Sequence, residues 1–230
     1  MRRNIAIALM VGVLGAAILA GLGTWQVQRL AWKEDIIARI EARIGAEPVA
    51  LPDAPEEEMD EYRPIRTTGV FLPGELHVLT SARPGGPGYR IVAPFRTNTG
   101  RLILVDRGYV PEAQKDQIRR RGAAEIVGNL LWPDEADSYT PAPDLSENIW
   151  FARDEIAMAE VLGTEPIMVV LRRSSILDAP RPLPVTVDLP NNHREYAVTW
   201  FGLAAVWIAM TAVYVIRARR RTDDTGGEDA

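Results

Sequence analysis

One stretch of this 230-residue chain gathers groups that could bind a metal-bearing ligand: Pro190-Asn191-Asn192-His193-Arg194-Glu195-Tyr196. Asn192 followed three residues later by Glu195 has the form of a capping box, which predicts a helix starting there. His193 then falls in the first turn. At helical offsets of four, seven and fourteen, Ala197, Trp200 and Trp207 share its face. The expectation is an imidazole at the outer interface of a bilayer, with an apolar, aromatic stripe running below it into lipid. Such a place could supply one ligand to a haem iron. A plainer reading is also open: a histidine beside the Tyr and Trp residues of an ordinary interfacial belt. Residue chemistry alone favours the plainer reading, because one ligand does not define a site.

Other chemistry is scarce. The absence of cysteine removes disulfides, thiolate zinc sites and covalent haem attachment through Cys-x-x-Cys-His. Only two histidines are present, His77 and His193, too few for a multi-histidine metal site within one chain. The sequence lacks Gly-x-Ser-x-Gly, a phosphate-cradling glycine loop and His-Glu-x-x-His. Arg83-Pro84-Gly85-Gly86-Pro87-Gly88 is glycine-rich, but its prolines have no N–H to offer an anion and suit a turn. Asp106-Arg107 invites a catalytic reading. On a strand, however, neighbours point to opposite faces, so anchoring of a sheet edge or loop is expected instead. His77, on an expected strand, reads as an ordinary, partly exposed histidine.

The elements that position these residues begin with two apolar runs. Ile5 to Leu22 carries no charge and would cover about 27 Å as a helix, close to a bilayer core. Tyr196 to Ile216 is longer and has aromatics at both ends. Arg2 and Arg3 precede the first run as they would precede a signal peptide. Its length and the lack of a convincing Ala-x-Ala favour an uncleaved anchor. Arg2 and Arg3 before the first run, and Arg217, Arg219, Arg220 and Arg221 after the second, predict both tails on the cytoplasmic side. No Arg-rich, acid-poor transit peptide precedes the first run, so the expected setting is a bacterial inner membrane.

The expected organisation is therefore a cytoplasmic tip and first span over 1–23, a periplasmic domain over 24–195, a second span over 196–216 and a cytoplasmic tail over 217–230. Within the domain, Trp25 to Ile44 reads as a helix continuing the first span, with Trp25, Trp32, Ile36 and Ile40 on one face. Ala46 to Asp60 is proline-punctuated and acidic, a solvated loop. Over 62–172 the texture is β-rich. Strands are expected at Ile65–Phe71, Glu75–Thr80, Tyr89–Arg96, Arg101–Val110, Ala124–Leu131 and Ile167–Arg172, with a hairpin at Asn98-Thr99-Gly100. Asp154 to Leu162 reads as a short helix closed by Gly163. Asp178 to Pro190 should be extended. The fold class is an α+β membrane protein: two terminal transmembrane helices flanking an antiparallel sheet or small barrel. The outer segment is net acidic, which argues against nucleic-acid binding.

Four motifs in order resemble the surfeit-locus (Surf/Shy-type) assembly factors of haem-copper terminal oxidases. They are Leu22-Gly23-Thr24-Trp25-Gln26 with Arg29 and Trp32-Lys33; Arg63-Pro64 with Gly69 and Phe71; Gly88-Tyr89, Pro94-Phe95 and Val105-Asp106-Arg107-Gly108-Tyr109-Val110-Pro111; and Asn191-Asn192-His193 with Tyr196-Ala197 and Thr199-Trp200-Phe201-Gly202-Leu203. The central motif departs from the usual pattern, which carries Asn and Trp where this chain has Asp106 and Tyr109.

The resemblance implies a non-enzymatic factor that aids delivery or insertion of haem a into the oxidase's catalytic subunit I. It makes His193 the expected haem-iron ligand and reverses the preference reached on residue chemistry alone. Trp200, Trp25 and Arg29 are the further cofactor-binding candidates, Arg29 because a guanidinium suits a haem propionate. The implied partners are subunit I, haem a synthase and membrane lipid. The rival reading is a membrane scaffold that stabilises oxidase assembly intermediates without touching haem. A membrane-tethered enzyme is the weakest reading, since no nucleophile, base and oxyanion set can be named.

Overall fold

The computed structural model describes residues 2–176, 180–187 and 191–225. Its four helices are α1 (Arg2–Ile44), α2 (Glu57–Asp60), α3 (Glu155–Leu162) and α4 (His193–Thr225). Its seven strands are β1 (Pro64–Phe71), β2 (Leu76–Ala82), β3 (Gly86–Thr97), β4 (Leu102–Pro111), β5 (Gly122–Leu131), β6 (Ile149–Trp150) and β7 (Met168–Ser174). The chain divides into a helical unit, Met1–Arg39 with Asp188–Ala230, and a sheet unit, Ile40–Val187.

In the helical unit both helices outrun a bilayer core of about 30 Å: at about 1.5 Å per residue, α1 is about 65 Å long and α4 about 50 Å. Both are long and apolar enough to cross a membrane. Only 6% and 11% of their most apolar windows are buried. A core helix of a soluble protein hides such a surface, whereas a lipid-facing helix leaves it bare, so the two helices suggest a membrane protein.

The two helices pack antiparallel. A Cβ on Gly12 would strike Thr211, one on Gly15 would strike Trp207, and one on Gly23 would stand 2.9 Å from the Phe201 ring. Glycine at these positions lets the larger side chains of α4 lie against the α1 backbone, as small residues do between membrane helices. The Trp207 indole N–H donates to the Gly12 carbonyl at 3.0 Å. Ala197 and Ala204 of α4 are buried, as are Gly12, Gly23 and Gln26 of α1. Of the stripe expected below His193, Ala197 is buried and Trp207 packs on the α1 backbone at Gly12 and Gly15, where the glycines open a groove for it.

In the sheet unit the strand order is β1-β5-β7-β4-β3-β2-β6, and β1 also pairs with β3. That extra ladder closes β1, β5, β7, β4 and β3 into a small barrel, with β2 and β6 as an extension. Alternation fills the barrel: Ile65, Phe71, Phe95, Ile103, Val105, Ile126, Leu130, Val169 and Leu171 form one buried cluster. On the opposite strand faces, Val92, Leu104 and Met168 join Leu76 and Val78 of β2, Trp150 of β6 and Met158 of α3 in a second.

The antiparallel expectation holds for most ladders and fails for two. β4 pairs with β7, and β2 with β6, in parallel. A parallel ladder needs a long crossover, and the chain between β4 and β7 supplies one that carries β5, β6 and α3. The hairpin at Asn98-Thr99-Gly100 joins β3 to β4, with Thr97 N–H donating to the Arg101 carbonyl at 2.8 Å. The glycine-rich Arg83–Gly88 stretch is the β2–β3 turn and the start of β3. Asp154 caps α3 by accepting from the backbone of Ile156 and Ala157 at 3.1 and 2.9 Å. Gly163 ends the helix at φ 66°.

The stretch read as a solvated loop before β1 is more structured than expected. Val49 bridges Ile65, and Asp60, buried at the end of α2, pairs with Arg63 at 2.6 Å. An ion pair and a backbone bridge hold it where composition suggested only solvation. In the extended segment before α4, Arg181 exchanges backbone hydrogen bonds with Tyr109. Asp178 and Pro190, the ends expected for that segment, lie outside the described residues.

Candidate functional site

His193 is the first residue of α4. Asn192 stands ahead of it, and its carbonyl accepts from the Tyr196 N–H at 3.2 Å. The reciprocal side-chain bonds of a capping box do not form among the described residues. The imidazole has a different tie. His193 Nδ1 lies 2.7 Å from Oε1 of Gln26, on α1. An amide oxygen only accepts, so in this orientation of the Gln26 amide the contact requires the proton on Nδ1, which leaves the lone pair on Nε2. His193 is half-buried, and Nε2 has no hydrogen-bond partner among the described residues.

Gln26 is 8% exposed and lies on the face of α1 that also carries Gly12 and Gly23. A polar side chain on such a stripe must find a partner when buried, and His193 is that partner. The motif around Trp25-Gln26 was visible in the sequence, but the pairing was not. A single amide at the inner position of a small-residue stripe was the signal for it.

The other candidates take separate places. Trp200 is half-buried, two helical turns along α4 on the His193 face. Trp25 is 49% exposed. Arg29 follows it by four residues and is exposed, with its guanidinium carbon 4.5 Å from the centre of the Trp32 ring. Trp25, Arg29 and Trp32 thus form a half-open stripe on α1 beginning beside Gln26. The structure joins Gln26 to His193, and it stacks Arg29 on its own helix.

This set fits a haem better than a bare ion. No group of three or more His, Asp or Glu side chains that could hold a metal occurs among the described residues. A haem brings four nitrogens of its own and needs one or two axial ligands from the protein. A hydrogen bond from the distal ring nitrogen is also the usual way a ligating imidazole is oriented. Two residues before His193, the Asn191 side-chain oxygen is buried without a partner among the described residues.

Asp106 and Arg107 serve two different networks, as their opposite faces predict. They do not sit at a sheet edge, however: Asp106 is 0% and Arg107 1% exposed, on a strand flanked by β3 and β7. Asp106 takes Arg90 at 2.6 Å, Arg153 at 3.0 Å and the Gly108 N–H at 3.0 Å. Arg153 also grips Glu135. Burial works against the Glu135 carboxylate, but the hydrogen bonds and charge of Arg153 outweigh it and hold its pKa below the ordinary value. Arg107 lies over the Phe71 ring at 4.5 Å and donates to the Arg120 carbonyl at 2.9 Å. Burial lowers its pKa from the ordinary arginine value.

His77 is not the partly exposed histidine expected. It is 6% exposed, with Nε2 3.1 Å from Glu75, which also binds Arg119. Burial would raise the Glu75 pKa, yet the His77 hydrogen bond and the Arg119 charge leave it lowered. Asp106 and Glu75 thus each anchor a network of buried or half-buried arginines, whereas Arg107 rests on a ring face and a backbone carbonyl.

Comparison with known proteins gives this geometry its family. The family model described as SURF1 matches residues 13–205, a span that includes both Gln26 and His193. Surfeit locus protein 1 of Homo sapiens is 37% identical over 211 residues, covering 80% of this chain and 70% of that protein. Surfeit locus protein 1 of Takifugu rubripes is 35% identical over 217 residues, covering 82% and 90%. The SURF1-like protein of Rickettsia felis is 31% identical over 214 residues, covering 88% and 92%. With a family match from the first long helix through the start of the last, the chain belongs to the SURF1 family.

Proposed function

We propose that this chain is a membrane-anchored assembly factor for a haem-copper terminal oxidase, and that it aids delivery or insertion of haem a into the catalytic subunit with His193 as the iron ligand. The observation that carries this reading is the state of His193. Its Nδ1 is committed to Gln26 and its Nε2 is left unpaired at the start of an apolar helix. Trp200 and Trp25 offer aromatic surface to a macrocycle, and exposed Arg29 offers a guanidinium to a propionate. When bound, the haem would supply redox and ligand-binding chemistry for the oxidase, and none is required of this chain. The reading sets both tails on the cytoplasmic side of a bacterial inner membrane and the sheet unit in the periplasm, following the arginine flanks. Subunit I and haem a synthase are the protein partners it calls for.

The test is an absorption spectrum of the detergent-purified protein from a host making haem a, beside its His193→Ala variant. A stoichiometric haem band lost or shifted in the variant supports the reading. No band in either, with the protein folded, favours a scaffold that never touches haem. A band indifferent to the substitution moves the ligand elsewhere.

A further inference from the structure

We infer that Gln26 is a positioning residue for His193: it fixes the Nδ1–H tautomer and the ring orientation, so that Nε2 is the nitrogen offered to an incoming metal-bearing ligand. The inference deepens the haem reading and rests on it for its functional meaning, although its first test needs no haem.

The geometry is a 2.7 Å contact between the Nδ1 of one helix and the amide oxygen of another, 167 residues apart in the chain. Free imidazole of histidine in water prefers its proton on Nε2, so holding it on Nδ1 takes a fixed acceptor there, and the Gln26 amide oxygen is placed to be one. Gln26 is buried, which removes competing water and makes the exchange of partners costly. Its position is set by the helix pair. Gly12 against Thr211, Gly15 against Trp207 and Gly23 against Phe201 define one register, and a slip by one helical turn would carry His193 about 5.4 Å from Gln26.

The chemical type of the acceptor also matters. A carboxylate here would draw the Nδ1 proton strongly and make the imidazole a better donor to iron. A neutral amide orients the ring without that gain. An oriented but ordinary imidazole suits a ligand that is to be held briefly and passed on.

The experiment begins with nitrogen NMR of the ring of His193 in the ligand-free, full-length, detergent-solubilised protein, at a pH where imidazole is neutral. With only two histidines in the chain, a His193→Gln sample assigns the signals. The parent should show a protonated Nδ1 and a bare Nε2, and Gln26→Leu should lose that preference. Haemin titration should then find Gln26→Leu weaker than the parent by about 10- to 100-fold, the usual cost of losing such a partner. Gln26→Glu, which keeps an acceptor, should bind at least as tightly as the parent, with a lower haem midpoint potential. A protonated Nε2 in the parent, or a tautomer unchanged in a folded Gln26→Leu, would overturn the inference. If the tautomer responds as stated but haemin binds the parent and His193→Ala alike, the positioning role stands and the haem-ligand reading falls.

Discussion

Arg153 Nη1 meets Asp106 Oδ2 at 3.0 Å, and the carboxylate it meets is wholly buried. Arg90 reaches the same oxygen from the other side at 2.6 Å. Removing the carboxylate takes from Arg90 its acid partner and leaves Arg153 with Glu135 alone. Asp106→Ala should therefore destabilise the sheet unit by about 3–5 kcal/mol, the range for breaking a buried pair from one side. Asp106→Asn keeps an oxygen for the arginines and should cost clearly less, in keeping with the asparagine usual at this place in the motif that the chain resembles. Chemical denaturation followed by near-ultraviolet circular dichroism would rank the two, and equal losses would contradict this account.

Gly69 sits where β1 pairs with β5 on one side and begins to pair with β3 on the other. A Cβ there would run into the Arg96 carbonyl and the Phe95 ring. Gly69→Ala is expected to cost about 1–3 kcal/mol by overpacking the closure of the barrel. The same denaturation measurement checks it, with exposed Thr68→Ala as the control that should leave the midpoint nearly unmoved.

Acid should weaken the sheet unit through Glu135 and Glu75. Both have lowered pKa values when folded, so the unfolded chain binds protons more readily. Their contribution is fully present above the unfolded value of about 4.3 and is lost as pH falls through the folded values. The melting temperature should thus be steady near neutrality and drop below about pH 4. Glu135→Gln should flatten part of that drop; an unchanged pH profile would remove Glu135 from the explanation.

The register of the long helices can be trapped covalently, because the chain has no cysteine of its own. Thr211 Cβ lies 3.1 Å from where a Gly12 Cβ would stand. That is within a small adjustment of the ~3.5–4.5 Å that a disulfide spans. Gly12→Cys with Thr211→Cys should cross-link on mild oxidation, shifting the band on a non-reducing gel. Gly21→Cys, whose Cβ would meet nothing within 4 Å, should not cross-link with the same partner.

Local patterns were legible in the sequence where a residue and its cause lie close together. The alternation around Ile65 and Phe71, the turn at Asn98-Thr99-Gly100 and the stop of α3 at Gly163 all depend on neighbours a few residues away. The parallel ladder Leu104–Met168 was not legible, because nothing near Leu104 announces a strand sixty-odd residues later. The burial of Asp106, Arg107 and His77 was hidden for the same reason. A charge reads as exposed until its partner is known, and Asp106 finds Arg153, 47 residues later in the chain, beyond β5 and β6.

The candidate site shows the same division. His193 and the neighbourhood of Trp25 and Arg29 stood out by residue type and motif. The hydrogen bond that gives His193 a defined tautomer joins opposite ends of the chain, and it follows only from the way two helices pack.

The place of β7 between β5 and β4 has a consequence for how this protein is made. β7 is the last strand among the described residues, yet it fills the gap between two earlier strands that do not otherwise pair. Until Met168–Ser174 has been synthesised, Ile103, Val105, Ile126 and Leu130 belong to an open, sticky array with two unpaired edges. Closure of the barrel waits until Ser174 has been made. The chain should therefore lean on quality-control chaperones during that interval, and any truncation upstream of β7 should be degraded rather than accumulate as a smaller stable domain.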